Sequence, residues 1–255
     1  MPLFQPSHPE KVQKIFTQIA QKYDRMNDLA SFGLHRLWKK KLIQIAKEKK
    51  FTQALDLAAG TGDLALALAK ENKFVILCDP NPAMLKIAEK RLEKQKPRVK
   101  FLVCSAEKIK LADFSVDLVV TSFGFRNMQN LDQAFREIYR VLKPKGSFLA
   151  LEFCSYPPRT LFQKASHILF QMYSFVFLPL LARFFKLPPS AYDYLAHSIA
   201  QFPNPQEIEK KMIQAGFSFP KKKGKKQSKS FLWGKVQLFS TEKTHSKTSD
   251  CPLMI

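Results

Sequence analysis

Apolar residues at Val12, Ile15, Phe16, Ile19 and Tyr23 recur every three or four positions, which predicts an amphipathic helix within residues 10–30, opened by Pro9. A second helix is predicted from about Leu37 to Lys49. The period then changes. Residues 54–58, 74–78, 99–104, 116–121 and 147–153 are short, nearly continuous apolar runs, the pattern of strands buried on both faces. Helical segments separate them. One is Leu64–Lys70. One opens at Asn81-Pro82, an N-cap followed by proline at the first helical position, and runs to about Gln95. One presents Leu131, Phe135, Ile138 and Leu142 on a single face. Strands alternating with helices predict a doubly wound α/β fold with a mostly parallel sheet over roughly 50–155. A helix at Pro205–Ala215, a Gly216-Phe217 C-cap into a strand and a further strand at Phe231–Ser240 add an antiparallel C-terminal hairpin, for a seven-stranded sheet.

Residues 156–202 break that rhythm. Leu161–Leu187 is rich in Phe, Leu and Tyr but is interrupted by Lys164, His167, Gln171 and Pro179. Its cleanest stretch, Ile168–Ala182, is shorter than the roughly 20 residues a bilayer requires. The expectation is therefore not a membrane span. It is either a buried helix pair or an apolar lid over a ligand. The chain divides into a helical cap (1–50), an α/β domain (51–240, with 156–202 as the lid or insertion) and a flexible tail (241–255).

Composition sharpens this picture in two ways. With 255 residues, 45% apolar and 25% charged, the chain is globular. Its 42 Lys+Arg against 21 Asp+Glu give a formal charge of +21, concentrated at Arg36–Lys50, Lys86–Lys100 and Lys221–Lys229. Such an excess has three readings: nucleic acid, an anionic membrane surface, or a lysine-rich proteome. Cys78, Cys104, Cys154 and Cys251 form no CxxC pair, and three of them sit in apolar runs. That argues against a zinc site or a disulfide framework and for a reducing compartment. The first residues lack the basic-then-apolar pattern of a secretory signal.

The chemistry centres on Gly60-Thr61-Gly62, between the first strand and its helix. Glycines there allow a sharp turn and close approach of a ligand to the backbone, and the following helix N-terminus favours a polar or anionic group. Asp79 ends the next strand, 17 residues after Gly62, where a carboxylate can accept both hydroxyls of a ribose. The pattern implies a nucleoside-containing cofactor. Gly60-x-Gly62-x-x-Ala65 fits the dinucleotide fingerprint as well as an adenosylmethionine loop, so the loop alone leaves NAD open. The acidic flanks in D-L-A-A-G-T-G-D, with Asp56 before the loop and Asp63 after it, suit a cationic sulfonium better than a pyrophosphate. Ser105-Ala106-Glu107 after the third strand is placed to read an adenine. Each acid also has a plain reading, Asp56 as a cap and Glu107 as a surface residue.

Longer strings go further: Tyr23-Asp24-Arg25-Met26-Asn27-Asp28-Leu29, Ser31-Phe32-Gly33-Leu34-His35-Arg36-Leu37-Trp38-Lys39, Ser122-Phe123-Gly124-Phe125-Arg126-Asn127, Leu151-Glu152-Phe153 and residues 194–203. With the glycine loop, they make the chain resemble class I adenosylmethionine-dependent methyltransferases, and among them the C-methyltransferases of menaquinone and ubiquinone biosynthesis, over about residues 10–240. The sequence departs from that pattern at Ala59 and Lys145, where the family usually has glycine. The resemblance implies a Rossmann-like domain binding S-adenosyl-L-methionine through Thr61, Asp79, Ser105, Ala106 and Ser122, with Asp56, Gly60, Gly62 and Met84 in the same site. It implies methylation of a reduced polyprenyl quinone, demethylmenaquinol to menaquinol. No metal is expected.

Such a reaction needs a ring carbon made nucleophilic by loss of a neighbouring hydroxyl proton. Arg126 and Asn127 are read as the catalytic pair, holding a water and stabilising the phenolate, because a guanidinium cannot itself take the proton. The plain alternative is that Arg126 neutralises Asp132 or caps a helix. Tyr23, Asn27, His35, Trp38, Phe123 and Tyr194 are the substrate-side candidates. His35 is either a general base or a structural histidine. The partners expected are a polyprenyl quinol and an anionic membrane surface, with a homodimer allowed. Nucleic acid is disfavoured, because no NPP[YF]-type string follows the fourth strand. A non-catalytic membrane adaptor and an NAD-dependent oxidoreductase rank lower. The expected location is cytoplasmic, peripheral to the inner face of the cell membrane.

Overall fold

A computed structural model describes residues 9–154, 160–185, 187–222, 225–226 and 228–244. Five parallel strands, β1 (Gln53–Leu57), β2 (Phe74–Asp79), β3 (Val99–Val103), β4 (Val116–Ser122) and β5 (Leu142–Phe153), form most of one sheet. The strand order is β3-β2-β1-β4-β5-β10-β6, where β6 is Phe217–Ser218 and β10 is Val236–Lys243. β10 runs antiparallel to β5, and β9 (Lys229–Phe231) pairs with it, making eight strands, while β7 (Lys221–Lys222) and β8 (Lys225–Lys226) pair with each other in a separate small ribbon. The predicted strand at 231–240 is thus split by a 3-10 turn at Leu232–Gly234. Chain order reverses between β1 and β4, so the carboxyl ends of β1, β2 and β4 open onto one crevice, the usual ligand edge of such a sheet.

Helices cover both faces. α3 (Leu34–Lys47), α4 (Asp63–Ala69) and α5 (Pro82–Arg91) bury Leu42, Ala46, Leu68 and Ala88 against one side of the sheet. α6 (Leu131–Val141) and α10 (Pro205–Gln214) bury Phe135, Ile138, Ile208 and Met212 against the other. The cap expected at Asn81 is present, accepting from the backbone N–H of Ala83 and Met84, and the structure adds one at Asn130, which accepts from that of Gln133. Lys145, where the family usually has glycine, sits at φ 65°, a left-handed conformation that costs a side-chain-bearing residue roughly 1 kcal/mol.

The N-terminal stripe does not make one helix. α1 (Pro9–Ile19) gives way to a 3-10 turn at Ala20–Lys22 before α2 (Tyr23–Ser31). Nor does the 1–50 segment act as one cap. α3 belongs to the sheet, whereas α1 and α2 pack through Ile15, Ile19 and Met26 against Leu178, Ala182 and Tyr192 of the 161–201 region.

That region is α7 (Leu161–Met172), a π-turn (Tyr173–Phe177), α8 (Leu178–Phe184) and α9 (Pro189–Gln201). The first three are continuous over 24 residues, long and apolar enough to cross a membrane, which corrects the expectation of a segment too short. The π-turn widens the helix just before Pro179, whose missing N–H and bulky ring do not fit a regular helix interior. Its inner side, at Ser174, Leu178 and Ala182, is buried in the protein, while Leu169, Met172, Val176, Leu180 and Phe184 stay exposed. Two further expectations are corrected. Cys78 and Cys104 are joined in a disulfide: parallel pairing of β2 and β3 sets Cys78 opposite Leu102, and Cys104 follows two residues later, just past the end of β3. The start of the expected tail at 241–255 is corrected, since Thr241 and Lys243 are buried in β10; residues 245–255 lie outside the described residues.

Candidate active site

The glycine loop is held from below. Asp56, fully enclosed in β1, accepts from the Ala65 N–H at 2.9 Å in the first turn of α4. Burial pushes its carboxyl up to about 7. It braces the loop, which is the capping alternative raised from the sequence. Asp79 accepts from the backbone N–H groups of Gly60 and Asn81, both at 2.8 Å, and burial raises it to about 6. Gly60 takes φ 54°, and a side chain there would approach the Tyr23 ring. Gly124, on the β4 side of the crevice, has no room for a Cβ, which would lie 2.8 Å from both Ala58 Cβ and Thr121 Oγ1.

The N-terminal helices are bound to this loop by a charged network that no local sequence pattern marks. Thr61 Oγ1 donates to Asp24 at 2.7 Å, Arg91 pairs with both Asp24 and Asp63, and Lys39 pairs with Asp63 at 2.9 Å. Other expected cofactor residues spread out. Ser105 and Ser122 lie half-buried at the ends of β3 and β4, but Ala106 is packed in the core. Met84 is 1% exposed and belongs to the buried cluster that joins α1, α5 and α8. Glu107 ties down a loop by accepting from the backbone N–H of Gln129 and Asn130.

Beside the loop lies a cavity of about 330 Å³. All eight of the residues expected on the substrate and catalytic side line it: Tyr23, Asn27, His35, Trp38, Phe123, Arg126, Asn127 and Tyr194. The rest of its wall is largely apolar, from α1, α2, α7, α8 and α9. Trp38, Phe123 and Phe153 pack ring to ring at 5.0–6.4 Å, and Phe123 takes φ 59° to reach them. Phe32, Leu34 and Leu169 both line the cavity and are exposed, so it opens outward through an apolar rim.

Polar groups in this wall are few and pointed. Arg126 is 5% exposed, pairs with the wholly buried Glu152 and stacks 5.2 Å from the Phe153 ring. Asp132 is not its partner; it pairs with Lys211 at 2.7 Å. Burial brings the guanidinium down to about 10, still charged at neutral pH. Its Nε is buried with no hydrogen-bond partner in the protein. Tyr194 donates its hydroxyl to Asn127 Oδ1 at 2.8 Å, which leaves the amide nitrogen of Asn127 as a donor. His35 is buried, bonded through Nε2 to Asp28 at 2.9 Å, with Nδ1 unpartnered.

The crevice fits an adenosyl cofactor. It offers a left-handed glycine loop at a helix N-terminus, a carboxylate at the end of the neighbouring strand and acidic groups around the loop, with no pyrophosphate-neutralising cation in the loop itself. Fold and site together define a class I S-adenosyl-L-methionine-dependent methyltransferase. The solved structures agree in fold. A SAM-dependent methyltransferase from Thermotoga maritima superposes with a TM-score of 0.57 at 20% identity, covering 91% of this chain and 99% of that one. One from Aquifex aeolicus gives 0.58 at 17%, covering 89% and 97%.

Residues 5–225 match the model of the ubiE/COQ5 methyltransferase family, and the chain belongs to that family. Among curated relatives, the ubiquinone/menaquinone biosynthesis C-methyltransferase UbiE of Rubrivivax gelatinosus is 39% identical over 208 residues, 82% of this chain and 79% of that protein. The UbiE of Hydrogenovibrio crunogenus is 40% identical over 213 residues, 82% of each.

Proposed function

We propose that this enzyme methylates a ring carbon of a reduced polyprenyl quinone, converting a demethylmenaquinol to the menaquinol. The observation carrying this reading is the cavity: an apolar chamber with an apolar mouth and an Arg–Asn–Tyr cluster in its wall. A flat ring with hydroxyls matches the polar cluster and aromatic wall, and a prenyl tail matches the rim. The relatives named for ubiquinone and menaquinone biosynthesis support the same substrate class.

Bound adenosylmethionine supplies a methyl group on a good sulfur leaving group. The protein's part is alignment, exclusion of water and stabilisation of charge on the ring oxygen. Thr61, Asp79, Ser105 and Ser122 hold the cofactor from the strand ends. Tyr23, which both lines the cavity and lies over Gly60, joins the two compartments. Arg126 Nε, without a partner among the described residues, and the Asn127 amide nitrogen, whose own oxygen is held by Tyr194, are the donors for a phenolate in this low-dielectric wall, where such hydrogen bonds are strongest. Glu152 fixes the guanidinium without lining the cavity itself.

Incubation of purified protein with methyl-labelled adenosylmethionine and a reduced short-tailed demethylnaphthoquinone tests the reading. The expected product carries one added methyl on a ring carbon. Label found only on oxygen, or no transfer, would remove it.

The same reading places the enzyme at a membrane surface. Exposed Leu169, Met172, Val176, Leu180 and Phe184 recur at helical spacing beside the exposed Phe32 of the cavity rim. Basic residues of α3 add electrostatic attraction, worth about 1 kcal/mol per residue near an anionic surface. Flotation with phosphatidylglycerol vesicles is expected at low salt, and a V176S/L180S variant is expected to float less. Binding indifferent to lipid charge, salt and these substitutions would leave the charge as proteome background.

A further inference from the structure

The reading above requires a group that accepts a proton from the ring hydroxyl. Arg126 cannot, and no carboxylate is among the residues lining the cavity. Asp56 and Asp79 lie outside the lining and are bonded to backbone N–H groups of the loop. Tyr194 donates its own proton to Asn127. Cys154 is buried beside Arg126, and burial pushes its thiol well up, so it stays protonated. His35 is the one imidazole in the lining.

Its surroundings select one tautomer. Arg36 grips Asp28 through two bonds, Nε to Oδ1 at 2.6 Å and Nη2 to Oδ2 at 2.8 Å. That grip holds the Asp28 carboxyl far below the usual carboxylate range, so it is ionised and only accepts. His35 Nε2, 2.9 Å from Asp28 Oδ1, must therefore carry the hydrogen. Nδ1 is left with a lone pair, buried and without a partner. A buried acceptor left without a partner is costly, which sets this histidine apart from one whose ring nitrogens are both bonded.

We propose that Asp28 and His35 form the proton-accepting dyad of the reaction, with His35 Nδ1 taking the ring hydroxyl proton and Asp28 orienting the imidazole and stabilising the imidazolium. This rests on the quinol reading. The hydroxyl's bonding pair stays on oxygen, and the ring carbon beside it forms the bond to the methyl carbon. The pair of the broken carbon–sulfur bond stays on sulfur. The ring carbon then releases its own hydrogen as a proton to solvent, and the imidazolium proton returns to oxygen as aromaticity is restored. One proton is released in all, and His35 ends neutral.

Electrostatics support the assignment. Burial lowers the His35 pKa, Asp28 from α2 opposes this through its hydrogen bond, Lys39 on the same helix lowers it and Asp63 from α4 raises it. Arg36 acts through Asp28. Arg126, Tyr23, Tyr173, Tyr192 and Tyr194 are the other titratable groups of the cavity wall. The imidazole is thus neutral at pH 7 and able to accept.

The test is the pH dependence of kcat at saturating adenosylmethionine with the short-tailed quinol. The wild-type rate is expected to fall with decreasing pH as His35 protonates. His35→Gln is expected to lose that acid limb and about 10²–10⁴-fold in kcat, with cofactor affinity unchanged. Asp28→Asn, a change at a partly exposed site, is expected to keep the limb but move it to lower pH with a smaller loss. It decides the matter if His35→Gln does not fold. An acid limb and plateau unaltered in the variants would overturn the dyad. A wild type that does not methylate the quinol at any pH would instead overturn the substrate reading.

Discussion

The two sides of the active site solve opposite problems. On the cofactor side the protein's polar groups already have protein partners: Asp79 holds two backbone N–H groups, Thr61 holds Asp24, and Arg91 bridges Asp24 and Asp63. A ligand there meets a preformed polar frame. On the cavity side the wall is largely apolar, and two of its few polar atoms, His35 Nδ1 and Arg126 Nε, are buried without partners. Orphaned polar atoms inside apolar surroundings are costly and correspondingly strong once a ligand meets them. The contrast teaches that binding and chemistry are separately built, so substitutions on the two sides separate affinity from turnover.

Beyond the His35 variant, the largest effect is expected at Arg126. Arg126→Lys keeps a charge against Glu152 but loses the planar donor fork, and kcat is expected to fall about 10²–10³-fold, the loss typical of an oxyanion donor. Arg126→Ala strands a buried carboxylate, and such breakage costs about 3–5 kcal/mol of stability, so its rate is read on folded protein. Adenosylmethionine affinity, measured by calorimetry, is expected to hold in both. Parallel losses of affinity and turnover would merge the two sides.

Asp79→Asn probes the other side and comes next. Hydrogen bonds to a charged group contribute about 1.5–3 kcal/mol, so cofactor affinity is expected to fall roughly 10–100-fold. The KM for quinol is expected to stay where it was. A rise in quinol KM with cofactor affinity intact would reverse the assignment.

How far each side was readable in advance follows from the range of its interactions. The parallel strands and the cap at Asn81 are local patterns, and each was read correctly; the cap at Asn130 was not singled out. The cavity residues came from the family strings Tyr23–Leu29, Ser31–Lys39 and Ser122–Asn127, because periodicity alone marks Trp38 or Phe123 only as apolar. Pairings across long separations were invisible: Arg126 with Glu152, Thr61 with Asp24, Cys78 with Cys104. Met84 was read only as a cofactor residue, and its place in the buried cluster with Ile15, Leu178 and Tyr192 was not foreseen, since position on a helix does not say which elements gather around it. The 161–187 segment was expected to be interrupted by its polar residues and kinked at Pro179, yet it is one continuous helix over 161–184 with a π-turn just before that proline.

A smaller effect is expected in the tail channel. Phe170 lines the cavity from α7 and contacts Lys235 from the sheet side. Phe170→Ala removes apolar surface worth about 1.5–3 kcal/mol when fully buried by ligand. The KM for a long-tailed quinol is expected to rise up to about tenfold, and that for a short-tailed analogue to change little. Equal changes for both would make α7 ordinary packing.

The smallest effect tests the frame itself, without ligand. Asp56 is raised by burial from 3.8 to about 7. A carboxyl whose folded pKa lies above its unfolded one binds a proton in the folded state that the unfolded chain has released. Its contribution is therefore fully present below about pH 4 and is lost as pH rises through 7. Asp56→Asn keeps an oxygen for the Ala65 N–H but carries no charge at any pH. Its melting temperature relative to wild type is thus expected to rise between pH 5 and 8. About 1 kcal/mol, or 2–4 °C for a chain of this size, is enough to see. Melting curves that shift in parallel would mean that Asp56 is solvated in solution and that the cofactor side is less preformed than its hydrogen bonds show.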